Sequence, residues 1–455
     1  MRNADVHRTA IGAASPAVSV SIPRAPGAGA GLDEWLAWQA GLNPVTIELG
    51  LGRCAAVAGR MGLLPPPFPL INIAGTNGKG SCAIFTEALL SEAGRSVGTY
   101  LSPHLLRYNE RVRVCGREVD DAQLVAAFHA VEAARGSTPL TFFEFGTLAA
   151  VSLFCAAAVD VAILEVGLGG RLDAVNVFAP AVALITSLGV DHVEWLGATR
   201  AQIAREKAGI MRRGCPAVCA EPDPPAAFEA SARECGALLY RIGMEFDFQV
   251  RDDGLWDWRG VATQRRGLPP PALQGAFQFR NAAAALAVIE RLDGIELPPG
   301  DAIARALGVV RLAGRMTVVE GPVTQVIDVG HNPEAARALA AWLRENPGEG
   351  RDYAVAAMLA DKDCDGVTDA LRESFDRWYV AGLGGPRGNN GAALADSVGR
   401  ATPAVGVRRY PAVGAAYRAA LDSARPGDRV VVFGSFRTAG ECLLQVERSG
   451  RKLTG

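Results

Sequence analysis

The sequence has no surplus of either charge. Its 46 Lys plus Arg stand against 48 Asp plus Glu, a formal net charge of −2. That balance gives no footprint for coating nucleic acid, and leaves room only for a local basic pocket. Long hydrophobic runs are also missing. No stretch reaches the ~18 uninterrupted apolar residues of a membrane helix. The most apolar region, Leu148 to Leu164, is broken by Asp160 and reads as a buried helix feeding a buried strand. The start of the chain lacks the apolar core of a secretory signal. Arg2, His7, Arg8 and Arg24 lie there among Ala, Gly, Ser and Pro, and residues 1–30 read as a disordered tail. Cysteine is scarce and odd in number, nine in all, so full pairing is impossible and a reducing compartment is favoured. Cys215 and Cys219 have no second pair or nearby His to complete a zinc site. All nine read as small buried residues. The expected setting is the cytoplasm, with no membrane and no nucleic-acid partner.

The chain has 455 residues, 49% of them hydrophobic and 21% charged. A prior of ~150 residues per domain gives two or three domains, and no internal repeat stands out. Apolar runs alternate with Ala- and Leu-rich helical stretches. Leu70–Ala74, Val97–Leu101, Val161–Val166 and Ala181–Thr186 read as strands, and Lys79–Ala93 as the helix after the first. Continuous apolar runs separated by helices predict a parallel sheet covered on both faces. Phe246–Thr263, with Trp256 and Trp258 near Gly254, predicts a flanking hairpin. A helix over Phe279–Leu292 closes this unit, and Leu297-Pro-Pro-Gly300 breaks the pattern. The alternation restarts with strands Val323–Val329 and Tyr353–Met358, separated by helix Glu334–Glu345. It ends with strand Arg429–Phe433 and helix Phe436–Val446. The expectation is α/β: a large domain with a mostly parallel sheet over 31–298, a linker over 299–311 and a smaller Rossmann-like α/β domain over 312–455.

The strongest local signal is Ala74-Gly-Thr-Asn-Gly-Lys-Gly-Ser81 between a strand and a helix. Backbone N–H groups and the helix N-terminus there can face a triphosphate, with Lys79 on the phosphates. It departs from G-x-x-x-x-G-K-[ST]: Ile73 stands five before Gly78, and Gly80 separates Lys79 from Ser81. Glu165 ends a buried strand, where open α/β sheets bind ligands, and a carboxylate beside a phosphate loop suits Mg²⁺. The run Gly167-Leu-Gly-Gly170 reads as space cleared for a ligand.

This variant loop resembles that of the Mur-type ATP-dependent amide ligases, and in particular the folylpolyglutamate synthases. Further segments match in order. They are Tyr100-Leu-Ser-Pro-His-Leu105, Arg107-Tyr-Asn-Glu-Arg-Val112, Thr141-Phe-Phe-Glu144 and Leu164-Glu-Val-Gly-Leu-Gly-Gly-Arg-Leu-Asp-Ala174. Asp191-His192, Trp195-Leu-Gly197, Arg205-Glu-Lys-Ala-Gly-Ile210, Gly314-Arg315, Asp328-Val-Gly-His-Asn-Pro333, Ala360-Asp-Lys-Asp363 and Gly434-Ser-Phe436 come next. The resemblance implies that Thr76, Asn77, Gly78, Lys79, Gly80 and Ser81 hold the ATP phosphates. It places Gln278 and Asn281 on the adenine side, Arg315 and Asp328 on ATP, and His331 near the transferred phosphate. Ser102, Glu165 and His192 become Mg²⁺ ligands, with Ser81 an alternative to Ser102. Lys207 matches a lysine that is carbamylated in the family (N6-carboxylysine) and supports a second Mg²⁺. On chemistry alone Lys207 reads equally as a solvated surface residue.

The implied reaction is ATP-dependent ligation of L-glutamate to dihydropteroate and to folates, through an acyl phosphate and with two Mg²⁺ ions. Lys79, Lys207 and His331 carry the catalytic expectation. The segment Asn43–Arg53 resembles a dihydropteroate loop, with Thr46, Ile47, Glu48 and Leu49 at its centre. With Thr141, Phe142, Phe143, Glu144, Leu172, Asp173 and Ala174 it is expected to enclose the pterin, the two Phe rings offering stacking faces. A synthase that only extends folate polyglutamates, a Mur-type peptide ligase and an ATP-hydrolysing switch are the alternatives. By the family's habit the protein is expected to be a monomer.

Overall fold

The computed structural model describes residues 24–27, 29–43, 48–385 and 387–451. Most of the 1–30 tail, and Thr46 and Ile47 of the expected pterin loop, lie outside these. Where the tail is described, Ala25 and Ala30 pack against the large core rather than standing free.

The first sheet has eight strands. They are β1 (Leu70–Ala74), β2 (Val97–Tyr100), β3 (Val112–Val114), β4 (Arg117–Glu118), β5 (Val161–Glu165), β6 (Val182–Ile185), β7 (Pro216–Cys219) and β8 (Leu238–Arg241). Their order is β4-β3-β2-β5-β1-β6-β7-β8. Pairing is parallel from β2 through β8, and β3 and β4 are added antiparallel at one edge. β1 is buried at every position, because helices cover both faces. Leu70 and Ala74 join a core with Trp35, Phe128 and Phe145. Ile71 and Ile73 join the opposite core with Phe85 and Leu286. The chain leaves β1 toward β2 on one side and later reaches β6 on the other. That is a topological switch point, where such sheets bind ligands at their C-terminal ends.

One reading is extended and one corrected. The expected hairpin is present as β9 (Asp247–Val250) and β10 (Trp256–Arg259), and β11 (Gln264–Leu268) adds a third antiparallel strand. The polar, Gly-containing third strand hid itself from an apolar pattern. Trp256 and Trp258 are buried, and Trp258 Nε1 donates to Ala283 O at 3.1 Å, fastening this sheet to helix Phe277–Glu290. Residues 299–311 are not a bare linker. Gly300–Val309 is a helix whose Ile303, Ala306 and Leu307 complete the core beside helix Lys79–Glu92. Pro299 sits at the cap position just before this helix, so the breaker cluster marks a start rather than a gap.

The second sheet has six strands. They are β12 (Thr317–Val319), β13 (Thr324–Ile327), β14 (Asp352–Ala356), β15 (Arg377–Ala381), β16 (Gly406–Tyr410) and β17 (Arg429–Phe433). The order is β12-β13-β17-β14-β15-β16, antiparallel only between β12 and β13. Helices again cover both faces. Asn332 caps helix Pro333–Glu345 through Oδ1, which accepts from Ala335 N at 3.0 Å, with proline in the first turn as the sequence implies. Among the described residues no helix is long and apolar enough to cross a membrane. Of the cysteines, Cys54, Cys82, Cys219 and Cys442 are buried, Cys155, Cys215, Cys235 and Cys364 are half-buried, and Cys115 is exposed.

Candidate active site

The loop after β1 lies hard against the end of β6. A Cβ at Gly75 would collide with the Thr186 hydroxyl. At Gly78, with φ +86°, a Cβ would stand 2.8 Å from Asn281 Oδ1. Glycine alone takes that turn at no steric cost. Thr76 Oγ1 donates to Gly189 O (2.9 Å), and Asn77 N–H donates to Ser187 Oγ (2.9 Å). So pinned, the loop delivers the free N–H end of helix Lys79–Glu92 to a cleft lined by residues 75–81. Lys79 Nζ curls back to Gly75 O (3.1 Å) and Thr76 O (3.4 Å). Burial lowers its pKa, against the pull of Glu165 and Asp191.

Lys207 is buried, so the surface reading falls. Its Nζ donates to the same Gly75 carbonyl at 2.8 Å. Burial, followed by repulsion from Lys79, lowers its pKa to about 7. A neutral amine is the form that captures CO₂, so this environment favours the modification the family implies.

Glu165 and Ser102 meet at the ends of β5 and β2. Glu165 Oε2 accepts from Ser102 N at 2.9 Å, and the Ser102 hydroxyl is buried without a partner. Burial raises the Glu165 pKa, with Lys79 opposing. An orphaned hydroxyl beside an undercompensated carboxylate is an oxygen donor set that fits Mg²⁺. His192 lines the same cleft and groups with Asp191 and His331, whose ligand atoms lie within 4.8 Å of one another. His192 takes a left-handed backbone, φ +52°, a conformation that costs energy outside glycine and clusters at functional sites. Residues 167–169 of the Gly167–Gly170 run line the cleft, and its glycines also admit close packing from within the protein. A Cβ at Gly167 would meet the Phe143 ring, and one at Gly170 would meet the backbone of helix Arg200–Ala208.

The second sheet supplies the opposite wall. The Asp328 carboxylate accepts from Met316 N (2.9 Å) and Gly330 N (2.6 Å). Arg315 lies 5.1 Å over the Phe436 ring, with its Nη2 3.5 Å from where a Gly80 Cβ would be. Asn77 Nδ2 donates to Glu334 Oε2 at 2.8 Å, and Asn332 Nδ2 donates to Asn77 Oδ1 at 3.0 Å, tying the phosphate loop to helix Pro333–Glu345. Asp191 is the hub of the junction. Its Oδ1 accepts from Lys362 Nζ at 2.5 Å, and its Oδ2 lies 3.2 Å from His331 Nε2. Burial pushes the Asp191 carboxyl up, but His331 and Lys362 bring it well below the usual carboxylate range. The cleft between these walls is ≈ 240 Å³.

Among the described residues, none of those expected around a pterin lines this cleft. Thr141 Oγ1 accepts from Glu144 N (3.2 Å) and Glu144 Oε2 accepts from Thr141 N (2.8 Å), which caps helix Phe142–Ala156. The Glu144 carboxylate also takes Arg53 (3.1 Å), which in turn holds Glu48 Oε1 at 2.5 Å. Leu49 lies between that pair and Gly50, whose N–H donates to Leu172 O at 3.0 Å. Asp173 accepts from Leu168 N and Val175 N, and burial raises its pKa to about 7. Ala174 is buried. Phe142 and Phe143 stay half-buried, beneath Arg111 (5.6 Å from the Phe142 ring) and beside Tyr100 (5.8 Å from Phe143). The family-like segments contain Asp191, Lys362 and Arg53 but give them no role, and Glu334 belongs to none of them. Asp191 and Lys362 offered a signal, since acids and a lysine after apolar strands belong to a parallel sheet's ligand end.

With this geometry in view, the matches to known proteins become decisive. Residues 73–289 match the family described as Mur ligase, middle domain, and residues 314–436 match Mur ligase, glutamate ligase domain. A dihydrofolate synthase/folylpolyglutamate synthase of Escherichia coli (strain K12) is 42% identical over 95% of this chain and 100% of its own. The chain belongs to the dihydrofolate synthase/folylpolyglutamate synthase branch of the Mur ligases. The solved structure of E. coli FolC in complex with DHPP and ADP superposes with a TM-score of 0.88 at 41% identity, covering 93% of this chain and 100% of that one. A bifunctional folylpolyglutamate synthase/dihydrofolate synthase with Mn, AMPPNP and L-glutamate bound superposes with a TM-score of 0.86 at 43% identity, covering 93% and 100%. The phosphate loop and the opposing wall built from β13, β14 and β17 thus belong to a ligase of the Mur type.

Proposed function

We propose that this protein joins L-glutamate to dihydropteroate, and to the γ-carboxyl of folyl glutamates, at the expense of ATP. Family membership supports ligase chemistry. One structural observation supports the site. The phosphate loop with Lys79 and Lys207 faces, across one cleft, the Arg315, His331 and Lys362 side of the second sheet. A carboxylate is a poor electrophile. Its oxygen attacks the γ-phosphorus of ATP and gives an acyl phosphate and ADP. The glutamate amine then attacks the acyl carbon and phosphate leaves. The loop N–H groups and Lys79 bind and orient the triphosphate and bear the charge that builds up as the phosphoryl group moves. Ser102 and Glu165 would hold Mg²⁺, and Lys207 as carbamate and His192 would support a second ion; when bound, these supply Lewis-acid neutralisation of phosphoryl charge. Asp191, Lys362, Asn77 and Glu334 hold the two walls together and keep water from the acyl phosphate. The segment around Glu48 and Arg53 marks the dihydropteroate side, which favours the bifunctional reading. We place the protein in the cytoplasm as a monomer acting on small molecules only.

The test is ADP formation with dihydropteroate, tetrahydrofolate monoglutamate and glutamate each omitted in turn. Turnover needs glutamate plus either acceptor. Hydrolysis indifferent to glutamate and acceptor would make the protein a switch ATPase instead.

A further inference from the structure

Arg280 lies in the first turns of helix Phe277–Glu290, one residue from Asn281, whose Oδ1 approaches Gly78 of the phosphate loop. With Phe277 it lines both the cleft and a second cavity of ≈ 430 Å³ bounded also by Pro222, Ile242, Asp247 and Phe248. Its Nε is buried without a partner. Among the described residues its guanidinium has no carboxylate within ion-pair distance, unlike the Arg53, Arg200 and Arg241 side chains. A half-buried cation left open in this way is set for an anion that arrives from outside.

ATP has the matching layout, and the role of Arg280 rests on the ATP-dependent reaction proposed for this cleft. The β- and γ-phosphates belong to the loop N–H groups and Lys79. The second cavity, walled by Ile242, Phe248 and Phe277, suits a flat heterocycle. The anionic group left between them is the α-phosphate. We propose that Arg280 binds the α-phosphate of ATP and so fixes the nucleotide's reach from the phosphate loop into the second cavity.

The test uses the full chain with Arg280→Ala and Arg280→Lys. Dissociation constants for ADP and ATP are measured directly, together with kcat and the KM of each substrate. Losing one charge-assisted contact should weaken ADP and ATP alike by about tenfold. The rise should fall on KM for ATP more than on kcat, and leave KM for glutamate in place. Arg280→Lys should recover most of the affinity, which a merely structural role would not allow. Unchanged ADP affinity in Arg280→Ala overturns the proposal. So does a loss in Arg280→Lys as large as in Arg280→Ala, or a lowered unfolding midpoint that accounts for the loss. An unaltered chain that binds no ADP would instead overturn the ATP reading itself.

Discussion

Replacing Lys207 is the most instructive perturbation. Burial and the neighbouring Lys79 bring its pKa to about 7, against an ordinary value of ~10.4. At pH 8 a group with pKa about 7 is roughly nine-tenths neutral, whereas an ordinary lysine is about 0.4% neutral. Neutral amine available to CO₂ is therefore enriched about 200-fold. The stability sign follows from the same shift. Because the folded pKa lies below the unfolded one, the unfolded chain binds the proton more strongly between about pH 7 and ~10.4. Stability from this group is lowest below pH 7 and rises through that window. Once carbamylated, Lys207 would present an oxygen donor, so Lys207→Ala should cut both ligase activities by about 100-fold or more. Short carboxylic acids should restore part of it by filling the vacated position. The assay pairs initial rates with ¹³C NMR of protein equilibrated in ¹³C-bicarbonate, in which a carbamate signal is expected above pH 7. Full activity in Lys207→Ala, or full and CO₂-independent activity with no carbamate signal, would refute this reasoning.

Lys79→Ala should lower both activities by orders of magnitude with the fold intact, as circular dichroism would show; near-normal turnover would remove the phosphate-loop assignment. Asp191→Ala should strand Lys362, only 4% exposed, and cost about 3 kcal/mol, read as a lower urea midpoint; an unmoved midpoint would mean the pair does not help join the two sheets. Scrambling Thr46–Leu49 should reduce kcat/KM for dihydropteroate more than for tetrahydrofolate monoglutamate, because remote contacts of the glutamyl chain compensate a weakened pterin site. Equal losses would reduce the loop to a structural support.

The strands nearest the cleft were plain in the sequence. β1, β5 and β6 are fully buried, so their apolar runs carry no confusing polar alternation. β11 escaped because it is half-exposed and polar, with Gly267 in it. Helix Gly300–Val309 escaped because the prolines before it read as a break rather than a start. Within the site, Lys79, Ser102, Glu165 and Lys207 were legible from motif order. What the order could not show is partnership. Nothing local joins Asp191 to Lys362, 171 positions away; that pairing exists only once the two sheets face each other. The Thr141–Glu144 cap is local, a Thr-x-x-Glu pattern opening an apolar helix.

The most direct measurement uses dihydropteroate labelled with ¹⁸O in its carboxylate. The label is followed by mass spectrometry of the phosphate released during ligation. If the carboxylate oxygen attacks the γ-phosphorus and the amine then displaces phosphate, one ¹⁸O appears in each phosphate, with an equal amount of dihydrofolate. Unlabelled phosphate accompanying amide formation would contradict the acyl phosphate route, and phosphate released without any amide would contradict ligation itself.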